Sequence, residues 1–165
     1  EAFATVFVAK RKALHPRTDQ ARLAGAKIVQ VPTGYLSNVQ AKARAYCEMT
    51  GATFLPFGFD TEDFVDGIAA IAASVDVDPP EVWSVAGSGV LQRALQRRWP
   101  NAAFHAVAIG QPPNAGRAHV LSAPERFEQD ARIPPPFPSC SNYDAKAWQF
   151  LHLAQPGALF WNVAS

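Results

Sequence analysis

The sequence predicts an α/β fold, a three-layer α/β/α arrangement around a mostly parallel, twisted sheet. Three observations predict it. Short β-branched and aromatic runs with no polar face, such as residues 4–9 and 82–85, alternate with segments of helical periodicity. The joins between them are short and carry Gly or Pro. Strands linked in order through helices imply right-handed crossovers, and hence parallel pairing.

Residues 4–9, Ala-Thr-Val-Phe-Val-Ala, are expected as a central parallel strand covered on both sides. After a basic loop over 10–15, Pro16 suits a first helical turn, and the helix over 17–24 closes at Gly25 in the C′ position. Residues 27–31 form a second strand, broken by Pro32, Thr33 and Gly34. Ser37 followed by Gln40 reads as a capping box for a helix over 39–49 that stops at Gly51. Residues 52–57 read as a third strand ending in the apolar turn Pro56-Phe57-Gly58-Phe59. Thr61 caps the next helix, whose first turn carries Glu62 and Asp63 and whose buried stripe is Phe64, Ile68 and Ile71. A fourth strand over 82–85 runs through Ala86, Gly87, Ser88 and Gly89 into a helix over 90–98, and a strand over 104–109 follows. Beyond Gly110 come a loop over 112–116, a strand over 118–122, a polyproline-like stretch over 133–138, a helix over 142–153 and a last strand over 158–161.

The 165 residues suffice for one α/β unit whose 48% hydrophobic content can fill a core without metal or disulfide support. A formal charge of +1 draws the chain to neither nucleic acid nor an acidic membrane. Two cysteines, Cys47 and Cys140, make no disulfide framework, and no apolar run is long enough to span a bilayer. A cytoplasmic protein is expected. Residue 1 is Glu and a buried strand begins almost at once, so the chain is expected to be a fragment with further sequence upstream.

The most informative segment is 82–90, a buried strand entering a glycine turn and then a helix. At the carboxyl end of a parallel strand, backbone N–H groups and the positive helix terminus point into one crevice, and glycine lets a phosphate approach. Ser88 adds a hydroxyl. The same glycines also serve simply as a tight turn with close helix packing. The segment is neither a Walker A loop, since no Gly-Lys-Ser/Thr follows, nor GxGxxG, since Gln92 stands three after Gly89. His15, His105, His119 and His152 have no metal-ligand spacing, and no GxSxG elbow occurs. Lys10, Arg11, Lys12 and His15 form either a small anion patch or a solvated loop. Arg97 and Arg98 suit the last turn of their helix. Phe57, Phe59, Phe137 and Tyr143 are candidates to line a cleft.

The ordered series from residue 4 to 110, ending in strand, Ala86-Gly87-Ser88-Gly89 and helix, resembles the fold-type II pyridoxal phosphate enzymes, the group of tryptophan synthase β, cysteine synthase and aminocyclopropane carboxylate deaminase. The resemblance, to the C-terminal part of those enzymes, implies that residues 1–60 match the smaller lobe and 61–165 the larger. It also implies that Ala86, Gly87, Ser88 and Gly89 hold the phosphate of pyridoxal phosphate. Pro138-Ser-Cys-Ser-Asn-Tyr143 looks like the segment that meets the pyridine nitrogen, with Ser139, Cys140 and Ser141 as candidates; Ser141 or Asn142 also reads as a cap of the last helix. The family's Schiff-base lysine is expected upstream of the matched region, and none of Lys10, Lys12, Lys27, Lys42 and Lys146 occupies its place.

The expected function is a pyridoxal phosphate-dependent, lyase- or deaminase-like protein acting on a small amino-acid-like substrate, as a homodimer or with a missing N-terminal segment. Two other readings stand beside it. One is a phosphoribosyltransferase-like protein, for which Pro32-Thr33-Gly34 lacks the acidic pair; the other is a non-catalytic binding domain that kept the phosphate loop.

Overall fold

The computed structural model describes residues 3–32, 34–110 and 113–163. Ala2 and Thr33, at the predicted first strand and the break after the second, lie outside the described residues, as does Pro112 of the predicted loop. The chain divides into two compact units, Glu1–Pro56 and Phe57–Ser165.

In the first unit, β1 (Thr5–Ala9) pairs in parallel with β2 (Lys27–Val31) through the crossover helix α1 (Pro16–Leu23). His15 caps α1 by accepting the Arg17 N–H on Nδ1 at 3.2 Å, and Pro16 opens the helix where its missing N–H costs nothing. The helix ends in a Schellman motif: Gly25 takes φ 93°, its N–H bonds to the Arg22 carbonyl, and the Ala26 N–H bonds to that of Ala21. The next helix, α2 (Leu36–Thr50), stops as expected at Gly51 with φ 71°.

Three expectations for this unit are corrected. β1 is not a central strand: among the described residues it has β2 as its one ladder partner and is half-buried throughout. The predicted third strand, 52–57, forms no ladder. Pro56 has no N–H to give one, and Phe54 is covered instead by the Arg44 guanidinium, 4.2 Å from its ring. The Ser37–Gln40 capping box is not made. Tyr35 is the N-cap without a side-chain bond, and Ser37 already lies inside the helix, past the one position from which its hydroxyl could cap.

The second unit holds a four-stranded parallel sheet in the order β5-β4-β3-β6, built from β3 (Glu81–Ala86), β4 (Ala103–Ala108), β5 (His119–Ser122) and β6 (Leu159–Phe160). Successive strand side chains point to opposite faces, and both faces are covered. On one, Val82 and Phe104 pack with Ala72 of α3 (Glu62–Ala73) and with Leu95 of α4 (Val90–Arg98). On the other, Val85 and Val107 pack with Ala147 of α5 (Ala145–Trp148). The result is three layers, with β3 buried at every position.

Thr61 caps α3 as expected, its hydroxyl accepting the Phe64 N–H at 3.3 Å. The predicted stripe of that helix is corrected. Val65 and Ala72 are buried, whereas Phe64 is 42% and Ile71 65% exposed. α4 decides this, because Val90 and Ala94 pack on Val65 while Arg97 binds Glu62 at 2.5 Å and also Asp66, turning α3 about its axis by roughly one residue. The predicted last helix, 142–153, is also corrected to the four residues of α5 and a 3-10 turn at Leu151–Leu153. The N–H groups of Lys146, Ala147 and Phe150 bond three residues back, so the segment winds too tightly to continue as α-helix. Residues 133–138 run without repeating structure. No helix among the described residues is long and apolar enough to cross a membrane.

Candidate functional site

β3 delivers the chain to Gly87, Ser88 and Gly89 at its carboxyl end, and α4 begins at once. Gly89 is the N-cap with φ 87°, a conformation open to glycine, and its bare α-carbon lies so close to Asn114 that a Cβ would overlap the Asn114 carbonyl. Ser88 packs the same way under Gly58, whose φ is 73°. The first turn of α4 contains no acidic residue, unlike α3 with Glu62 and Asp63, and the Ser88 hydroxyl accepts the Val90 N–H at 3.4 Å.

These residues border a cavity of about 430 Å³ inside the second unit. One side is Ala86, Gly87, Ser88 and Gly89 with Tyr143 and Asp144; the other is the apolar face of Phe64, Ile68 and Ile71 with Trp161 and Val163. The exposed stripe of α3 is therefore one wall of the cavity. No lysine, arginine or histidine is among its described lining residues.

Tyr143 reaches the loop directly: a Cβ on Gly87 would stand 2.6 Å from its hydroxyl oxygen. Burial, followed by the Asp144 carboxylate, pushes this phenol above its ordinary range, while a backbone hydrogen bond from Gly87 works the other way. The group is a neutral hydroxyl at physiological pH. Asp144 is fully buried.

Ala86–Gly89, expected as a phosphate turn, and Tyr143, expected as a cleft residue, line one cavity. Ser139 and Ser141 are not among its lining residues. The Ser139 hydroxyl donates to Asn162 Oδ1 at 2.7 Å, and that of Ser141 to Asp130 Oδ1 at 2.7 Å. The Cys140 thiol turns to Asn142 Oδ1 at 3.1 Å. Asp144 is a lining residue whose one signal in the sequence is adjacency to Tyr143. Phe57, Phe59 and Phe137 do not line the cavity, and the Phe137 ring packs on Trp148 and Phe160 instead.

Lys146, the single lysine in residues 57–165, is fully buried and also outside the cavity lining. Its ammonium donates to the Arg126 carbonyl at 2.7 Å and the Phe127 carbonyl at 3.3 Å. Burial pushes its pKa below the ordinary lysine range, against the opposing pull of Glu125. In the first unit, Arg11 and His15 line a separate cavity of about 380 Å³ with Phe7, Val8 and Leu36, but His15 already spends Nδ1 on capping α1.

A titratable cluster lies at the amino end of β3, the end away from the glycine loop. The Glu81 carboxylate, 6% exposed, accepts the Trp83 indole N–H at 3.0 Å and the Gln155 N–H at 3.1 Å. His105 stacks on Trp83 with centroids 4.1 Å apart and sits 3.7 Å from a Glu81 oxygen, with His119 edge-on.

No protein-family model and no curated protein matches the sequence. Among solved structures, an ACC deaminase homologue aligns with a TM-score of 0.71 and 13% identity over 95% of this chain and 64% of its own. The processed form of threonine deaminase isoform 2 from Solanum lycopersicum aligns with a TM-score of 0.44 and 21% identity, over 56% of this chain and 29% of its own. A T.th. threonine deaminase aligns with a TM-score of 0.40 and 20% identity, over 87% of this chain and 49% of its own. This chain spans 64% of the length of the ACC deaminase homologue. This chain therefore shares the fold of the part of the ACC deaminase homologue that it covers.

Proposed function

We propose that this chain is a pyridoxal phosphate-dependent, lyase- or deaminase-like protein for a small amino-acid-like substrate, and that its second unit holds the phosphate end of the cofactor. One observation carries the reading. The turn Ala86-Gly87-Ser88-Gly89, at the carboxyl end of a buried parallel strand and the N-terminus of α4, opens into a cavity of about 430 Å³.

The residues fit the phosphate end of the group. Gly87 and Gly89 let the Tyr143 hydroxyl and the Asn114 carbonyl pack closely on the turn and fix its shape, Ser88 offers a hydroxyl, and the helix terminus supplies N–H groups and a positive potential. Tyr143, against Gly87, and Asp144 border the same space, while Ser139 and Ser141 are engaged elsewhere. A carboxylate such as Asp144 would favour a protonated ring nitrogen, and the neutral Tyr143 hydroxyl would be a donor for an anionic oxygen. When bound, the cofactor supplies an electron sink for a carbanion beside an amino group. Phe64, Ile68 and Ile71 give that space an apolar side. No lysine of residues 57–165 lines the cavity, so this unit provides binding and orientation rather than the imine-forming amine.

That same observation favours a second reading, a non-catalytic domain that binds a phosphate ester through the loop. Titration calorimetry with pyridoxal phosphate and with inorganic phosphate tests both. Saturable binding of either, lost in Ser88→Asp, supports the loop as the phosphate site, because the substitution puts a carboxylate where the anion would sit. Release of ammonia or a keto acid from added amino acids then separates enzyme from binding domain. Absence of binding by the wild-type protein would sink both readings.

A further inference from the structure

Two segments distant in sequence press on the glycine loop from either side. Gly58 lies under the Ser88 side chain so closely that a Cβ there would overlap it, and the Asn114 carbonyl occupies the space that a Cβ on Gly89 would need. Neither segment is held by regular structure. Phe57–Phe59 is a single 3-10 turn with a kink at Gly58, and residues 113–115 are loop. The first is strained as well, since Phe59 takes φ 53° and is the one non-glycine with positive φ among the described residues. A bulky residue in that region costs about 1–2 kcal/mol and persists where its surroundings hold it.

One side chain touches both segments. Arg93, in the second turn of α4, forms an ion pair with Asp60, directly after the strained Phe59, and donates Nη1 to the Asn114 carbonyl at 3.2 Å. That carbonyl is the group lying against Gly89. A planar guanidinium has separate N–H groups for two such acceptors, which a lysine ammonium on a single flexible stem satisfies less well. The Arg93 side chain is 21% exposed, so its charge is partly shielded from solvent.

We infer that Arg93 is a positioning residue: by clasping Asp60 and Asn114 together it holds the two flanks of the Ala86–Gly89 loop, and so sets the geometry in which the loop receives a phosphate. The inference rests on the phosphate-site reading for its functional consequence, but the clasp itself is testable without ligand. Arg97 is the natural control. It also joins α4 to α3, through Glu62 and Asp66, yet touches neither flank of the loop.

The experiment is amide hydrogen exchange on the full chain for wild type, Arg93→Met, Arg93→Lys and Arg97→Met, with inorganic phosphate binding measured on the same samples. Arg93→Met should speed exchange about tenfold at residues 57–61, 86–90 and 113–116, and weaken phosphate binding to a similar degree. Arg93→Lys should recover part of both. Arg97→Met should lower the thermal midpoint while leaving loop exchange and phosphate affinity at wild-type values. Unchanged loop exchange in Arg93→Met, or an equal change in Arg97→Met, would overturn the positioning role. Faster loop exchange in Arg93→Met alone, with no phosphate binding even by wild type, would support the clasp and overturn the phosphate-site reading instead.

Discussion

The Tyr143 hydroxyl and Gly87 share one space, for a Cβ on Gly87 would lie 2.6 Å from that oxygen. Gly87→Ala is therefore expected to push the phenol out of the cavity's loop side. A tyrosine ring can swing aside, so the stability cost should be about 1 kcal/mol or less, with most of the effect in phosphate affinity. Gly89→Ala should behave differently. Its φ of 87° costs any other residue about 1–2 kcal/mol, and the added Cβ meets a backbone carbonyl that cannot rotate away. Urea unfolding should show a loss of about 3 kcal/mol or more for Gly89→Ala. Equal losses for the two variants would mean that the loop is not packed as described.

Lys146 should prove structural. Lys146→Met removes the donor to the Arg126 and Phe127 carbonyls but keeps most of the side-chain volume, so unfolding should register a loss of about 1–3 kcal/mol. Binding of pyridoxal phosphate should change little, because Lys146 is not a cavity-lining residue. A variant that folds normally yet no longer binds the cofactor would instead assign this lysine to the site.

The cluster at the amino end of β3 makes stability pH-dependent. Burial holds the His105 imidazole below its ordinary pKa; the Glu81 carboxylate opposes that shift and His119 adds to it. The folded state then binds the His105 proton less readily than the unfolded chain does. Its contribution is complete above the unfolded value of about 6.5 and is lost as pH falls from there through the folded value. The urea midpoint should thus decline between about pH 7.5 and 5.5, and His105→Phe, which keeps a ring on Trp83 but cannot titrate, should flatten that decline. Glu81, which the Trp83 and Gln155 N–H groups hold below the ordinary carboxylate range despite its burial, loses its contribution only at lower pH.

Thr61 was legible as an N-cap because its signal is local: a hydroxyl, two acids and an apolar run. Thr61→Ala should cost about 1 kcal/mol in the urea midpoint. The parallel pairing and the strand-turn-helix over 81–98 were legible for the same reason, since a continuous apolar strand and a glycine turn need no distant partner to be recognised. What depended on packing was not. Phe64 and Ile71 have helical spacing, but which side of α3 is buried was decided by Val90 and Ala94 across the interface. Ser139 and Ser141 have suitable chemistry for a ring nitrogen, yet Asn162 and Asp130 take their hydroxyls, and neither partner is visible from spacing. Asp144 entered the site because the chain winds into tight turns just before α5, bringing adjacent residues to one cavity.

The central claim is that the Ala86–Gly89 turn and the start of α4 form the phosphate site. It is tested most directly by titrating inorganic phosphate, then pyridoxal phosphate, into isotopically labelled protein while following backbone amide resonances. The account predicts that the Gly87, Ser88, Gly89 and Val90 amides shift together and saturably, with Tyr143 following and His105 and His119 unmoved. Saturable binding that leaves those four amides in place, or shifts centred on Arg11 and His15 instead, would contradict it.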